Sequence, residues 1–435
     1  MVPRRRLATH VQPLVGQLPN GEALERVGVH AAHEREAVSS LAARRDHPLW
    51  VVLMCAPPRL ASPEVARVMT RGTRETLERT STPPLALGPK PHAAVTLASQ
   101  SLPGVKRKER RPCYPFLMRI AIVGAGGVGG LLGGLLARSG VEVVVVARGA
   151  ALDAIFRDGL RVESPLGSFT AKVAAAAADP AALPPSDAVL VAVKSWQVSE
   201  VAPRLSTLVA PGGVVVPLQN GIEAADQLAQ VLGPEPVAGG LIKVLAWIDR
   251  PGAVKHVGPP PAVIVGERGS RAGKGSPRLD ALAATLSRAS VEVRVAEDIE
   301  REVWEKFLLV EPWGAIAASS RAPIGVLRTM TDVRALLEAA MDEVVSLALA
   351  RGVHLPADAA AKTLAFLDGL PPEGTASLQR DVGAGRPSEL DDQVGAVCRL
   401  GRLERLKTPI HDALYAVLQP QEASARGRIP RFPRT

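Results

Sequence analysis

Apolar residues fall along this chain in two rhythms, and the change between them comes near residue 298. From Arg119 to Val295 they form short, nearly unbroken runs: Ile120–Val123, Val141–Ala147, Asp187–Val193 and Gly213–Leu218. Such runs predict strands covered on both faces, as in a parallel sheet with helices on either side. A helix from about Gly127 to Arg138 joins the first two, making a strand–helix–strand unit. Further strands are expected over Leu241–Ile248 and Ala262–Val265, with the sheet finishing around Val291–Val295. From Asp298 the spacing lengthens, and Ile299, Val303, Trp304, Phe307 and Leu308 make a helical stripe with Lys306 off it. Val333–Arg351, Ala357–Leu367 and Leu390–Gly401 read as further helices, broken by Gly352, by Gly369-Leu370-Pro371-Pro372 and by Thr408-Pro409.

The turn after the first strand carries the chemistry. Gly124, Gly126 and Gly129 have the G-x-G-x-x-G spacing. Gly124 allows a tight exit from the strand, Gly126 a close approach of backbone to a pyrophosphate, and Gly129 close packing of helix on strand. The phosphates would meet the N–H groups at the helix start, around Gly127 and Val128. Because the motif lies between a strand and a helix, the first half reads as a Rossmann-type, doubly wound dinucleotide-binding domain over 118–297. An all-α domain follows over 298–420, with a disordered tail over 421–435. At the end of the second strand, where an acidic residue would hold ribose hydroxyls, stands Arg148; a guanidinium there suits a 2′-phosphate and so NADPH. Lys194 and Asn220 end two later strands, on the side where such sheets bind ligands. Solvated strand ends and an Asn-Gly turn are the plain alternatives for these residues, and two such polar ends together favour the functional reading.

Composition removes other readings. The formal charge is +9, yet residues 1–117 hold 18 Lys and Arg against 9 Asp and Glu, and the rest of the chain holds 34 of each. The basicity belongs to that leader, which lacks interleaved aromatics for base stacking, so no nucleic-acid partner is expected. Little packed structure is expected before Met118, and the leader also reads as upstream sequence translated from a misplaced start. Cys55, Cys113 and Cys398 show neither a disulfide framework nor metal-ligand spacing, so no metal is expected and a reducing cytoplasm fits. No apolar run approaches the ~20 residues that span a bilayer.

Taken in order, the glycine turn, Val193-Lys194-Ser195-Trp196-Gln197, Gln219-Asn220-Gly221, Trp304-Glu305-Lys306-Phe307, and Ser377-Leu378-Gln379-Arg380-Asp381 followed by Gly385-Arg386-Pro387-Ser388-Glu389-Leu390-Asp391 resemble the ketopantoate reductase (2-dehydropantoate 2-reductase) family from Arg119 to about Leu418. The resemblance implies a 6-phosphogluconate-dehydrogenase-like helical domain, NADPH as cofactor, and reduction of 2-dehydropantoate to (R)-pantoate in pantothenate and coenzyme A biosynthesis. It implies Lys306 as general acid, Lys194 and Asn220 at cofactor and substrate, Ser377 at the substrate carboxylate and Glu389 at the nicotinamide ribose. The partner would be a small 2-oxo acid, and the enzyme a monomer or homodimer. Val310 and Gly314 stand where the family has asparagines, a loss on the order of 1–3 kcal/mol of substrate recognition. A paralogue acting on another 2-oxo acid, or a non-catalytic NADPH sensor, therefore remains open.

Overall fold

The structure is a computed structural model that describes residues 118–430; the expectations for the leader lie outside these residues. In chain order the strands are β1 (Arg119–Val123), β2 (Glu142–Val146), β3 (Leu160–Glu163), β4 (Phe169–Ala171), β5 (Ala175–Ala177), β6 (Ser186–Val191), β7 (Val209–Pro217), β8 (Gly239–Arg250), β9 (Ala253–Gly266) and β10 (Glu292–Val295). The first half also holds helices α1 (Gly127–Arg138), α2 (Gly149–Asp158), α3 (Val198–Val201), α4 (Ala224–Leu232) and α5 (Pro277–Arg288).

A five-stranded sheet in the order β5-β2-β1-β6-β7 is parallel throughout. Alternate residues of β1 serve different layers: Ile120 and Ile122 join the core that includes α1, while Ala121 and Val123 join the core with Val198, Val201 and Leu228 on the opposite face. Both layers need apolar side chains, which is why the runs are unbroken; each fully buried aliphatic contributes roughly 1.5–3 kcal/mol.

The strands past Val237 do not finish this sheet, as their sequence suggested. They build a second one, ordered β10-β9-β3-β4 with β8 antiparallel on β9. Helix α1 lies between the two sheets, and its glycines face both. A Cβ at Gly133 would sit 3.4 Å from Ile122 of the first sheet and 3.1 Å from Leu160 of the second, and one at Gly134 only 2.6 Å from Val162. One at Gly130 would be 2.5 Å from Val254. A helix so rich in glycine loses about 1 kcal/mol of propensity per residue relative to alanine, and close packing on two sides offsets it. The second sheet was not foreseen because a β-period pattern marks strands without saying which sheet they join.

The second half is helical: α6 (Ile299–Ser320), α7 (Ile324–Thr329), α8 (Thr331–Ala350), α9 (Ala359–Asp368), α10 (Ser377–Gly383), α11 (Val394–Leu403) and α12 (Pro409–Ala425). Helix α6 begins at Asp298, whose carboxylate accepts from the Arg301 amide at 3.0 Å. It packs against every later helix and against β8 and β9. At its first residue, Ile299 is gripped by Gly239 and Gly266, where added Cβ atoms would come within 2.7 Å and 2.6 Å of it. Helix α11 starts at Val394 rather than Leu390, since Glu389–Gln393 forms a loop turned toward the first half. The tail expected from 421 is corrected for its start: α12 runs to Ala425, and Glu422 accepts from the Ser388 amide at 3.0 Å and lies against Arg426. No helix among the described residues is long and apolar enough to cross a membrane.

Candidate active site

The glycine turn has the shape its spacing implied. Gly124 takes φ +101°, its amide donates to Val146 O at 2.9 Å, and a Cβ would sit 2.8 Å from Val193 N. Gly126 precedes α1, and a Cβ there would meet nothing within 4 Å. It therefore faces open space in front of the first helical turn, where the N–H groups of Gly127, Val128 and Gly129 have no carbonyl partner within the helix. At Gly129 a Cβ would collide with the Gly124 carbonyl oxygen. Gly127 has another cause, since β8 passes over it with Ala246 O 2.5 Å from where its Cβ would be. These residues fit a dinucleotide pyrophosphate.

Arg148 follows β2, half exposed, and donates to Glu200 at 2.8 Å. Lys194 follows β6; its ammonium lies 3.5 Å from Asp381 and 5.7 Å from the centre of the Trp196 ring. Neither residue touches the group around Lys306.

That group joins the two halves. Lys306 Nζ donates to Asn220 Oδ1 and to Ile242 O, both at 2.9 Å. Asn220 Nδ2 donates in turn to Glu389 Oε2 at 3.4 Å, and Glu389 Oε1 accepts from the Ser195 amide at 3.3 Å. Three predicted residues, Lys306, Asn220 and Glu389, are thus linked in a row at the carboxyl ends of β6 and β7. Burial pushes the Lys306 ammonium down to about 8, against the pull of the Glu389 charge and helped by Lys243. Off the stripe, as its spacing indicated, Lys306 still faces protein, because β8 covers that side of α6.

Ser377, the first residue of α10, is exposed, and no hydrogen bond joins it to the Lys306 group. Gly314 lies under α10, where a Cβ would sit 3.4 Å from Leu378 and 3.9 Å from Ala376. Val310 is half-buried between Lys306 and Gly314 on the same helix.

Three features had no reading in the sequence. Gln219 is buried and donates to Val191 O and Val193 O, both at 2.9 Å, fixing the ends of β6 and β7 side by side. Ser195 Oγ donates to Asp392 at 2.7 Å, a second tie across the cleft, and burial raises the Asp392 carboxyl. Within the helical half, His411 bridges Glu311 at 2.7 Å and Glu343 at 2.5 Å, with both His411 and Glu311 fully buried. Gln219 and Ser195 each lie inside a recognised motif, which was the only signal for these features; their partners, and the His411 bridge, bring together residues far apart in sequence. Among the described residues no cluster of His, Cys, Asp and Glu could hold a metal.

Comparison with known proteins agrees with this geometry. The profile of ketopantoate reductase PanE/ApbA matches residues 120–270, and that of its C-terminal domain residues 298–422. A crystal structure of a PanE/ApbA family ketopantoate reductase from Ralstonia eutropha superposes with TM-score 0.64 at 32% identity, covering 71% of this chain and 100% of that one. A 2-dehydropantoate 2-reductase from Mesorhizobium japonicum is 29% identical, covering 69% of this chain and 97% of its own. The uncharacterized oxidoreductase YkpB of Bacillus subtilis is 26% identical over 70% of this chain and 99% of its own. A parallel dinucleotide-binding sheet, a helical second half and a lysine held between them, matched along both halves, place this chain in the ketopantoate reductase family of oxidoreductases.

Proposed function

We propose that the protein reduces a 2-oxo acid to the (R)-2-hydroxy acid with NADPH, the reference reaction being 2-dehydropantoate to (R)-pantoate on the way to pantothenate and coenzyme A. The observation that carries this reading is the Lys306 ammonium, held by Asn220 and the Ile242 carbonyl where the sheet's ligand edge meets α6. The nicotinamide, when bound, supplies hydride to the ketone carbon. Lys306 then delivers a proton to the ketone oxygen as negative charge develops there, and its two acceptors keep it aimed. Asn220 and Glu389 would hold the cofactor ribose and the substrate, Ser377 the substrate carboxylate, and Lys194 would act as a positioned charge. Gly124, Gly126, Gly127, Val128 and Gly129 would cradle the phosphates, with Arg148 at the 2′-phosphate.

The test is NADPH oxidation with a panel of 2-oxo acids headed by 2-dehydropantoate, followed by Lys306→Ala on whichever is reduced. Loss of the proton donor should lower kcat about 10²- to 10⁴-fold with little change in NADPH affinity. A variant that keeps wild-type kcat and changes only KM would show that the proton comes from elsewhere.

A further inference from the structure

The loop over 384–393, between α10 and α11, is buried at Ser388, Glu389, Leu390 and Gln393 although it lies outside helix and strand. A buried loop must find partners for its backbone groups within the protein. At Ser388 they come from the end of α12. The Ser388 amide donates to Glu422 Oε2 at 3.0 Å, its hydroxyl donates to the same oxygen at 2.5 Å, and its carbonyl accepts from the Arg426 guanidinium at 3.0 Å. Arg426 also donates to Glu422, in a mostly buried pair. The next residue is Glu389, whose carboxylate accepts from the Ser195 amide and from Asn220 in the row that leads to Lys306.

The Arg426 guanidinium also lies over the Trp196 ring, 4.5 Å from its centre. Trp196 follows Ser195, in the turn after β6 that meets Glu389 and Asp392. One pair of side chains from the last helix therefore fixes the Glu389 loop and ties it to the opposite lip of the cleft. Stability gives a weak account of such a pair, since hydrocarbon of similar volume commonly serves as well. Resting on the reading above, in which Glu389 holds the cofactor ribose, we infer that Glu422 and Arg426 are positioning residues: they set the Glu389 carboxylate in place before the dinucleotide arrives, so that binding need not order it.

Fluorescence titration with NADPH tests this without any substrate. The double replacement Glu422→Met/Arg426→Met exchanges the pair for hydrocarbon and should keep the fold, checked by thermal unfolding. It should nonetheless bind NADPH about three- to tenfold more weakly, the cost of ordering a freed side chain on binding. Glu389→Ala should weaken binding at least as much, and adding the double replacement to it should weaken binding no further, because the pair works through Glu389. Arg426→Lys keeps the charge but loses the flat guanidinium, and carries the test should the double replacement unfold: a smaller loss is expected in the wild-type background and none on top of Glu389→Ala. Wild-type affinity in folded pair variants while Glu389→Ala binds weakly, or losses that add to that of Glu389→Ala, overturns the inference and leaves the reductase reading intact. Wild-type affinity in Glu389→Ala would instead remove Glu389 from the cofactor site and the inference with it, and a wild-type protein that binds no NADPH would remove the cofactor reading itself.

Discussion

An ammonium near pKa 8 gives up its proton more readily than an ordinary lysine, yet is still mostly charged at neutral pH. If Lys306 is the donor, kcat/KM should hold below that pH and fall as pH rises through about 8, since the protonated form does the work. Arg148 makes a separate prediction. NADPH should bind about tenfold tighter than NADH, ~1.4 kcal/mol, and Arg148→Ala should erase the difference; equal dissociation constants for the wild type would refute this. The Glu200 carboxylate at 2.8 Å must then yield its place to a phosphate. Sequence made these residues visible because each closes a recognisable run or motif. It could not show that Lys306 rests on the Ile242 carbonyl, since a backbone acceptor 64 residues away leaves no mark in residue types.

Among the elements, α6 connects everything in its half, and the His411 bridge ties it to α8 through Glu343 and to α12 through His411 itself. Burial alone would depress the imidazole, but the Glu311 and Glu343 carboxylates raise it to about 9. Its folded pKa therefore lies above the unfolded value near 6.5. The bridge's contribution to stability is complete below that pH and is lost as pH rises through about 9. Thermal unfolding followed from pH 6.5 to 10 should show the wild type losing more stability than His411→Gln. At pH 7 the same variant should be less stable by about 3–5 kcal/mol in urea, because two carboxylates lose their buried partner. A flat pH response in the wild type would mean the imidazole is neutral. Periodicity gave the long helices readily, but it passed over α10, whose seven residues are too few for a face to repeat, and over α12, where Pro409 read as a break although proline suits a first helical turn.

At the scale of the whole molecule, the first sheet is tied at its start by bonds within the described residues. The Arg119 amide donates to Asp187 at 2.8 Å, and its guanidinium donates to Glu142 and to Pro185 O. A chain starting at Met118 should therefore fold and bind NADPH as tightly as the full chain does; unfolding, or a weakened NADPH dissociation constant, would show the leader to be part of the working protein. The order of the halves and the parallel sheet were legible because runs and stripes are local. The second sheet was not, because its partners are set by which face of α1 they must cover. The grip of Gly239 and Gly266 on Ile299 reaches further than packing. The residues that receive the helical half lie in β8 and β9, so the seam between the halves is written into the first one. A chimaera that grafts a relative's helical half at residue 298 would inherit a socket cut for isoleucine, and modular exchange between family members would succeed only where both sides of that joint travel together.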